Sequence, residues 1–347
     1  MNDVCIIGHF AEGKECLDGQ TVKTKTVYNE LTKENLNLNI AKIDTFEWRK
    51  HPVKLLLVTC HQYFKSKNII IMLSRNGMKF FSPILYFLQK IRKKRIHHVV
   101  IGGNLPELLE HNRSWKKYIK AFYCNYVETK KMMNDLQKMS IDNVVVMPNF
   151  KEIKRVAKNE KKENLSVPFR LCTFSRVMKE KGIEDAVTAV KSINDKHQKI
   201  IYTLDIYGQI DESYKLRFNE LINEFPSYIQ YKGTVPYDCS VSILKDYFLL
   251  LFPTYFYGEG FAGTILDAFA AGVPVIATNW KHNGEIITDK QNGFLYDTEQ
   301  KERLRELLIE CYQNPQIIND MREACLKCAD AYSPDKVMKI LIENLQK

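Results

Sequence analysis

TYFYGEGFAGTILDAFAAGVPVIATNW, residues 254–280, is the stretch of sequence that decides the fold. It is preceded by the apolar run YFLLLFPT (Tyr247–Thr254), which predicts a strand buried on both faces. The run GVPVIAT (Gly272–Thr278) predicts a second such strand. Between the two runs, a glycine-bearing loop at Gly258–Gly263 precedes a predicted helix at Thr264–Ala271. The stretch therefore predicts the strand, loop, helix and strand of a parallel α/β sheet.

The loop and the start of this helix predict an anion site. Where a helix begins at the carboxyl edge of a parallel sheet, loop N–H groups and the helix dipole point at one place, which most often binds phosphate. Two acidic residues, Glu259 and Asp267, flank this place. A carboxylate beside a phosphate is electrostatically unfavourable unless it has another partner, such as sugar hydroxyls.

A family resemblance rests on this stretch. Glu-Gly-Phe at 259–261 and Leu-Asp-Ala-Phe-Ala-Ala-Gly-Val-Pro-Val-Ile-Ala at 266–277 resemble the signature of the retaining nucleotide-sugar glycosyltransferases of family four, bacterial polysaccharide-assembly type. These enzymes have the GT-B fold. The resemblance implies an α/β protein with two Rossmann-like parallel-sheet domains that face a deep cleft.

The length of the chain, 347 residues, exceeds a usual single core and predicts two domains. We expect an N-terminal acceptor-side domain at residues 1–150, a linker at 151–168 and a C-terminal nucleotide-sugar-binding domain at 169–330. The linker is polar, charged and without periodicity. The resemblance implies that a last helix, residues 331–347, crosses back to the first domain.

Positive charge is concentrated in the first half. Residues 1–150 contain 24 Lys and Arg against 13 Asp and Glu, an excess of 11 in a chain whose net charge is +10. An anionic partner is therefore expected there: a membrane surface, a diphosphate-bearing acceptor or nucleic acid. Nucleic acid is disfavoured because stacking aromatics and a binding motif are missing.

The segment FFSPILYFLQKIRKKRIHHVV (80–100) has two interpretations. It is an amphipathic basic helix on anionic lipid, or a core helix whose basic end is solvated and favoured by the helix dipole. The basic half-domain favours the membrane, because the family often acts on lipid-linked acceptors. No apolar run approaches the ~18 residues of a membrane span, so we expect a soluble or peripheral protein.

The nine cysteines are scattered, and only Cys325 and Cys328 form a C-x-x-C pair. No second pair or nearby histidine completes a zinc set, so both are interpreted as plain helix positions. Scattered thiols and a start that passes directly into a strand, without a signal peptide, favour a reducing cytoplasm. Peripheral attachment to the inner membrane face stays open at this point.

The first half predicts a βαβ rhythm, with strands in the apolar runs 3–8, 37–44, 53–60, 68–74 and 97–103. No G-x-G-x-x-G follows the first strand, which disfavours a dehydrogenase. The resemblance implies that the backbone of Gly19, in the loop after the first strand, approaches the donor phosphates. His61 is a candidate to face the cleft, although a lone histidine is more often structural.

Arg176 and Lys181 lie five residues apart across a strand-to-helix turn, where two cations can converge on a diphosphate. Two such residues alone are most often solvated, but their spacing and the following Gly182 match the family's Arg…Lys-Gly element. The resemblance also implies that the strand ends at Gly208 and Val235 hold the nucleotide base.

The resemblance implies the remaining roles in the site. Glu259 accepts hydrogen bonds from the donor sugar, and with Arg176 and Lys181 it forms the catalytic group. Asp267, where the family usually has Glu, accepts from the ribose. The residues around the donor phosphates are Gly260, Phe261, Ala262, Gly263 and Thr264, with Ala262 where the family has glycine. Without a D-x-D motif, no metal and no other cofactor is expected.

The function implied is a metal-independent hexosyltransferase. It would move a hexose or N-acetylhexosamine from a nucleotide diphosphate sugar, with UDP favoured, to a saccharide or lipid-linked acceptor in capsule, exopolysaccharide or O-antigen synthesis. The alternative is a non-catalytic GT-B module that scaffolds a partner transferase. A sugar-nucleotide epimerase, a third GT-B possibility, needs acid/base residues on both domains, and no such pair is evident.

Overall fold

The computed structural model describes residues 1–14, 16, 18–33, 36–151, 166–236, 238–300 and 302–347. The chain divides into two compact units, one of Met1–Glu152 with Pro334–Lys347 and one of Ile153–Ser333. Each unit is built on a six-stranded sheet whose paired strands are parallel, so the α/β class is confirmed. The predicted linker, residues 151–168, lies mostly outside the described residues.

The first unit alternates strands and helices along the chain. Its strands are β1 (Asn2–Gly8), β2 (Ile40–Asp44), β3 (Ser66–Met72), β4 (Arg95–Val99), β5 (Cys124–Val127) and β6 (Val144–Val146). Its helices up to the linker are α1 (Gly19–Leu31), α2 (Pro52–Lys65), α3 (Arg75–Ile91), α4 (Leu105–Glu110), α5 (Arg113–Ala121) and α6 (Lys130–Lys138).

The strand order of this sheet is β2-β1-β3-β4-β5-β6. The chain passes from β1 to β2 on one side and to β3 on the other, so the order reverses at the neighbours β1 and β3. The strands are apolar runs with buried side chains, as in Val4–Ile7 and Ile69–Ile71. Strands that are buried on both faces are expected of a parallel sheet covered by helices.

The structure corrects one prediction in this unit. Residues 53–60, predicted as a strand, lie inside α2, which has Pro52 in its first turn. A short apolar run does not distinguish a strand from a helix, and a proline at this position favours a helix start. His61 therefore lies in α2, with its side chain exposed.

The basic segment 80–100 agrees with the interpretation of a core helix whose basic end is solvated, because Phe81 and Leu85 are buried and Lys93 is exposed. Helix α3 ends at Ile91, and the basic residues that follow it belong to the connection and to the first residue of β4. The segment is therefore a helix, a turn and a strand, with only Lys90 of the basic run inside the helix.

The second unit repeats the pattern. Its strands are β7 (Phe169–Phe174), β8 (Tyr202–Tyr207), β9 (Ile229–Gly233), β10 (Leu249–Phe252), β11 (Val275–Thr278) and β12 (Gly293–Tyr296). Its helices are α7 (Ile183–His197), α8 (Lys215–Asn223), α9 (Ser240–Leu244), α10 (Gly263–Ala270), α11 (Asn283–Ile286), α12 (Arg303–Gln313) and α13 (Gln316–Ala331). The predicted pattern of two strands around a glycine loop and a helix is confirmed as β10, α10 and β11.

The strand order of the second sheet is β12-β11-β10-β7-β8-β9. The chain runs outward from β7 through β8 to β9 and then returns to β10 on the other side of β7. The order therefore reverses at the neighbours β7 and β10. Helix α13 packs on α10 and contains Cys325 and Cys328, so both cysteines are helix positions.

The last helix, α14 (Pro334–Gln346), belongs to the first unit. Its apolar stripe (Val337, Met338, Leu341 and Leu345) joins the cluster that contains Val4, Ile6 and Val27. Spacing of three and four residues places these side chains on one helix face, which is buried against the sheet and α1.

Candidate functional site

The candidate site lies at the carboxyl ends of β7 and β10. These strands are hydrogen-bonded neighbours, and the strand order reverses at them. At such a reversal the loops from the two strands diverge to opposite faces of the sheet, which opens a crevice that ligands occupy in α/β proteins. The loop after β7 carries Arg176 and Lys181, and the loop after β10 carries Glu259.

Gly182 brings the two loops into contact. Its φ is +69°, in the left-handed region, and a Cβ at this position would lie 2.2 Å from the carbonyl oxygen of Pro253. The N–H of Tyr255 donates to the carbonyl of Glu180 over 2.8 Å, which joins the loops a second time. Only glycine allows this approach without moving the backbone.

Lys181 and Glu259 form an ion pair across this contact. The distance from Lys181 Nζ to Glu259 Oε2 is 2.5 Å, and the two side chains are 10% and 9% exposed. The ammonium also lies 5.3 Å and 5.1 Å from the ring centroids of Phe252 and Phe256. Charges this far from water require partners, and each side chain here has the other.

Thr254 holds the carboxylate of this pair. Its hydroxyl donates to Glu259 Oε2 over 2.8 Å and accepts from the N–H of Phe256 over 3.2 Å. Its own carbonyl accepts a hydrogen bond from the Thr278 hydroxyl at the end of β11. Thr254 was not among the predicted site residues, and its signal in the sequence is a threonine shortly after an apolar strand, five residues before the acid.

The N-terminus of α10 faces the same edge of the sheet. The extended residue Ala262 precedes the helix, and Phe261 and Ala262 are 5% and 7% exposed. The hydroxyl oxygen of Thr264 is buried and has no hydrogen-bond partner among the described residues. The first N–H groups of a helix have no partner within the helix, so the hydroxyl and these donors can bind an anion together.

Asp267 lies one turn further along α10 and is 6% exposed. Its backbone carbonyl accepts from the N–H of Ala271, so its position is fixed by the helix. The short side chain on a rigid helix restricts what this carboxylate can bind.

Arg176 has a different partner from Lys181. Its guanidinium lies 3.4 Å from Asp211 Oδ2, and its side chain is 55% exposed. Gly208, at the end of β8, has φ +136°, and a Cβ there would lie 1.8 Å from the Ser175 carbonyl oxygen, so the β7 and β8 loops also touch. Val235, after β9, is half-buried. The structure thus brings Lys181 and Glu259 together and holds Arg176 against the β8 side.

Gly19, the predicted phosphate-approaching glycine of the first unit, is the first residue of α1 and is exposed. Asp18 caps this helix by accepting from the Thr21 N–H over 3.1 Å. A Cβ on Gly19 would meet nothing within 4 Å. The space around it is therefore open.

The carboxyl edge of the first sheet carries polar groups that the sequence analysis did not select. Lys23 of α1 forms a buried ion pair with Glu128, the residue after β5. Asp44, at the end of β2, accepts from the N–H groups of Phe10 and Phe46, over 2.9 Å each, and from two more in the loop after β1. Burial raises the pKa of Asp44, but the four N–H donors together lower it by more than burial raises it. The pKa therefore lies below its usual value.

Two other features of the described residues concern ligands and membranes. No group of three or more His, Cys, Asp or Glu side chains is placed to hold a metal ion in the part of the chain that the structure describes. Among the same residues, no helix combines the length and the apolar character that crossing a bilayer requires.

The architecture and the site define the class. Two six-stranded parallel α/β units, with a glycine loop and a helix start at the strand-order reversal of the second, have the GT-B fold. The sequence family described as glycosyl transferases group 1 matches residues 150–328, which is just over half of the chain. The chain belongs to this family.

Known proteins agree with this assignment. A glycosyltransferase of Methanocaldococcus jannaschii, described as uncharacterized, is 26% identical over 201 residues, which cover 57% of this chain and 48% of that protein. The GtfA subunit of a UDP-N-acetylglucosamine–peptide N-acetylglucosaminyltransferase of Streptococcus pneumoniae serotype 4 is 35% identical over 130 residues, 37% of this chain and 24% of that protein. The chain thus spans half or less of these curated relatives.

A solved structure resembles the whole chain. The crystal structure of Anabaena Alr3699/HepE in complex with UDP superimposes with a TM-score of 0.78 and 12% sequence identity, and the alignment covers 100% of both chains. At this identity the likeness shows the fold alone.

Proposed function

We propose that this chain is a retaining glycosyltransferase. It transfers a hexose or N-acetylhexosamine from a UDP-sugar to a saccharide or lipid-linked saccharide acceptor, in capsule, exopolysaccharide or O-antigen synthesis. The observation that carries the proposal is the Lys181–Glu259 ion pair at the strand-order reversal of the second sheet. UDP is favoured because it is bound in the HepE crystal structure and appears in the name of the GtfA transferase.

The ion pair explains how a carboxylate can lie beside a phosphate site without repelling the phosphate. Without a cation, Glu259 would repel a diphosphate, but the ammonium of Lys181 lies 2.5 Å from it. In our proposal Lys181 binds the donor diphosphate and Glu259 accepts from the hydroxyls of the sugar. The pair then marks the junction of sugar and phosphate. Arg176 reaches the diphosphate by breaking its ion pair with Asp211. This costs little free energy, because exposed ion pairs contribute about 0–1 kcal/mol of stability.

The other predicted residues complete the donor site in this proposal. The N–H groups at Gly260–Gly263 and the Thr264 side chain bind phosphate oxygens, and the unpartnered hydroxyl of Thr264 supports this role. Asp267 accepts from the ribose. The backbone at Gly208 and Val235 holds the base, and Gly19 belongs to the phosphate- and acceptor-binding loop of the first unit.

The reaction proceeds on one face of the sugar. The acceptor oxygen forms a bond to the anomeric carbon from the side on which the bond to the diphosphate oxygen breaks, so the configuration is retained. The acceptor proton passes to an oxygen of the leaving diphosphate, and UDP departs. Lys181, Arg176 and the start of α10 stabilise the negative charge that develops on it, which replaces a metal ion.

The alternative, a non-catalytic module that scaffolds a partner transferase, requires none of these side chains. The buried pair, together with the presence of Arg176 and Asp267 in the sequence, favours the enzyme. The two proposals differ in one respect that can be measured directly, which is turnover of a nucleotide sugar by the isolated chain.

A panel of UDP-, GDP-, dTDP- and ADP-sugars tests the proposal, with thermal shift and hydrolysis as readouts. Binding to the folded state raises the melting temperature by mass action. We expect UDP and one or more UDP-sugars to stabilise the chain, and slow release of UDP that EDTA does not reduce. Absence of both effects with every nucleotide would overturn the proposal, and binding without turnover, with acceptors present, would favour the scaffold.

We also propose that the chain works in the cytoplasm, peripherally attached to an anionic membrane. Residues 48–106 contain 12 Lys and Arg and no Asp or Glu. Within this segment, Val53 and Leu57 of α2 are 69% and 65% exposed, and Phe87 of α3 is 63% exposed. Exposed apolar side chains in a strongly cationic segment are typical of interfacial binding.

Co-sedimentation with anionic liposomes tests the membrane attachment. The Val53→Ser/Leu57→Ser variant should lose most of the binding, whereas Leu216→Ser, at an 83% exposed position of the second unit, should retain it. Equal binding by both variants, or none by the unaltered chain, contradicts the attachment.

A further inference from the structure

A cavity of about 1260 Å³ lies within the first unit, at the amino edge of its sheet. The first residues of β1, β3 and β4 line it, together with the C-terminal ends of α3 and α14. Because the strands are parallel, their carboxyl ends all lie at the other edge, roughly 20 Å away for a seven-residue strand. The cavity is therefore separate from the carboxyl edge of this sheet.

The lining of the cavity is strongly cationic. Its charged side chains are one carboxylate, Asp3, and six cations: Lys67, Lys90, Lys93, Lys94, Arg95 and Lys347. The carboxylate is already paired, since it lies 2.8 Å from Lys67 Nζ. Within the described residues, no carboxylate lies within 4 Å of the cationic groups of Lys90, Lys93, Lys94 or Arg95.

Two of these cations, Lys94 and Arg95, are held in place by the fold. The turn from α3 to β4 is fixed by Gln89, whose side chain donates to the Lys94 carbonyl over 2.8 Å and accepts from the Lys94 N–H over 2.7 Å. The Lys94 ammonium donates to the Ser66 carbonyl over 2.6 Å. Arg95 stacks against Tyr123, at 5.5 Å from the ring centroid. Lys94 and Arg95 are thus fixed in position before any ligand arrives.

Mutual repulsion makes the cluster unfavourable when it is empty. Burial lowers the pKa of Lys94, and the charge of Arg92 lowers it further. An anion in the cavity would relieve this repulsion and raise the pKa of the lysine again. A single phosphate monoester cannot neutralise cations that come from two strands, the turn between α3 and β4 and two helix ends, but a ligand with several phosphates can.

We propose that this cavity binds a polyphosphorylated ligand, which carries at least two phosphate groups. The ligand is a free molecule or the headgroup of an anionic lipid, because both present the same chemistry to lysine and arginine. Ile91 lies at the rim and is 59% exposed, where the acyl region of a lipid would contact it. The inference goes beyond the proposed transferase function, since it involves none of the donor-site residues.

Two exposed cations provide the test variant. Lys90→Ser/Lys93→Ser removes two charges from the cavity and breaks no hydrogen bond that positions the turn. Lys196→Ser/Lys199→Ser removes the same charge from exposed positions at the end of α7 in the second unit. Lys181→Ala removes the proposed diphosphate cation of the donor site, so it separates the two sites.

Calorimetric titration with inorganic tripolyphosphate is the first arm. We expect binding that weakens at least tenfold in Lys90→Ser/Lys93→Ser and persists in the other two variants. Vesicles of phosphatidylcholine with and without cardiolipin are the second arm, and their binding identifies a headgroup as the source if tripolyphosphate does not bind.

Binding of tripolyphosphate or of cardiolipin vesicles that is weakened in Lys90→Ser/Lys93→Ser, and not in the other two variants, supports the proposal. The proposal is overturned if neither tripolyphosphate nor cardiolipin vesicles bind, or if binding is equal in the cavity variant and the charge-matched control. Loss of tripolyphosphate binding in Lys181→Ala alone would assign the anion to the donor site and would equally overturn it.

Discussion

Lys181 and Glu259 are 78 residues apart in the chain and form an ion pair that is about nine-tenths buried. The pair forms because the loops after β7 and β10 touch at Gly182 and Pro253. In our proposal each partner binds a different part of the donor, the phosphate for the lysine and the sugar for the glutamate. Each also keeps the other stable in the absence of donor, so folding and catalysis depend on the same contact.

The first prediction separates these two contributions. Glu259→Gln and Lys181→Met each leave one buried charge without its partner, which costs on the order of 3–5 kcal/mol of unfolding free energy. Each should also reduce kcat for sugar transfer by at least about 100-fold, because a charge that stabilises the reaction is lost. Denaturant unfolding and steady-state kinetics measure the two effects.

The double variant Lys181→Met/Glu259→Gln is the control. Removing both charges should restore most of the stability, since a buried pair replaced by neutral groups of similar volume is often neutral in stability. Activity should remain lost. A double variant that transfers sugar at the original rate would contradict both assigned roles.

The second prediction concerns Thr254 as a positioning residue. Thr254→Val keeps the shape and removes the hydroxyl that donates to Glu259 over 2.8 Å. A hydrogen bond to a charged group contributes about 1.5–3 kcal/mol, so we expect kcat to fall about 10- to 100-fold with little change in KM. Thr254→Ser keeps the hydroxyl and should retain activity. Equal rates for the valine and serine variants would remove Thr254 from this role.

Part of this site could be predicted from the sequence and part could not. The apolar run before Thr254, the glycine loop and Glu259 are consecutive, so local pattern was sufficient to place strand, loop and helix. The family resemblance placed Lys181 and Glu259 in one catalytic group, but it did not predict their ion pair, which depends on which strands are neighbours. The partner of Arg176, Asp211, depends on the path of the β8 loop and left no sequence signal.

The wrong prediction of a strand at residues 53–60 also has a physical cause. The apolar residues of this segment are typical of a buried strand, yet several are exposed on α2, with Leu57 at 65%. Burial usually explains an apolar run, and here it does not. The sequence could not reveal this, because exposure is a property of the packed chain.

The third prediction tests the loop contact through Gly182. In Gly182→Ala, a methyl group would lie 2.2 Å from the Pro253 carbonyl oxygen, and the backbone is left-handed. Strain from the left-handed conformation alone costs about 1–2 kcal/mol, and the clash adds to it. Gly233→Ala has a similar φ, +77°, with nothing within 4 Å of the new Cβ, so it measures the conformational strain alone.

Chemical denaturation of both variants gives the comparison. Gly182→Ala should lose more unfolding free energy than Gly233→Ala, and it should also lose transfer because the Lys181 loop moves. Equal destabilisation would show that the loops after β7 and β10 separate at little cost, contrary to the contact described.

The fourth prediction is a pH dependence of stability that arises in β4. Burial lowers the pKa of His97 to about 4, and the charge of Arg95 adds to this. Burial also lowers the pKa of His98 to about 4, although its hydrogen bond with Asn125 partly opposes the shift. Both are neutral in the folded state at pH 7, where His97 contacts the Tyr126 hydroxyl at 2.9 Å.

The direction of this pH dependence follows from the difference in histidine pKa between the folded and unfolded states. The unfolded chain binds these protons near the ordinary histidine pKa of about 6.5, whereas the folded chain resists them until about pH 4. The stabilisation is therefore complete above pH 6.5 and is lost as the pH falls towards 4. Each histidine contributes a slope of up to about 1.4 kcal/mol per pH unit in this window.

Denaturant midpoints at pH 7.5, 6.5, 5.5 and 5.0 measure this slope, because most carboxylates titrate below this range. The unaltered chain should lose unfolding free energy steadily below pH 6.5. In His98→Asn, which has no group that titrates there, the chain should be less stable at pH 7.5 but the slope below pH 6.5 should be shallower by about 1.4 kcal/mol per unit. An identical slope in the two proteins would mean that His98 takes up its proton at about the same pH in the folded and unfolded states. The interior of the first sheet would then admit the charge.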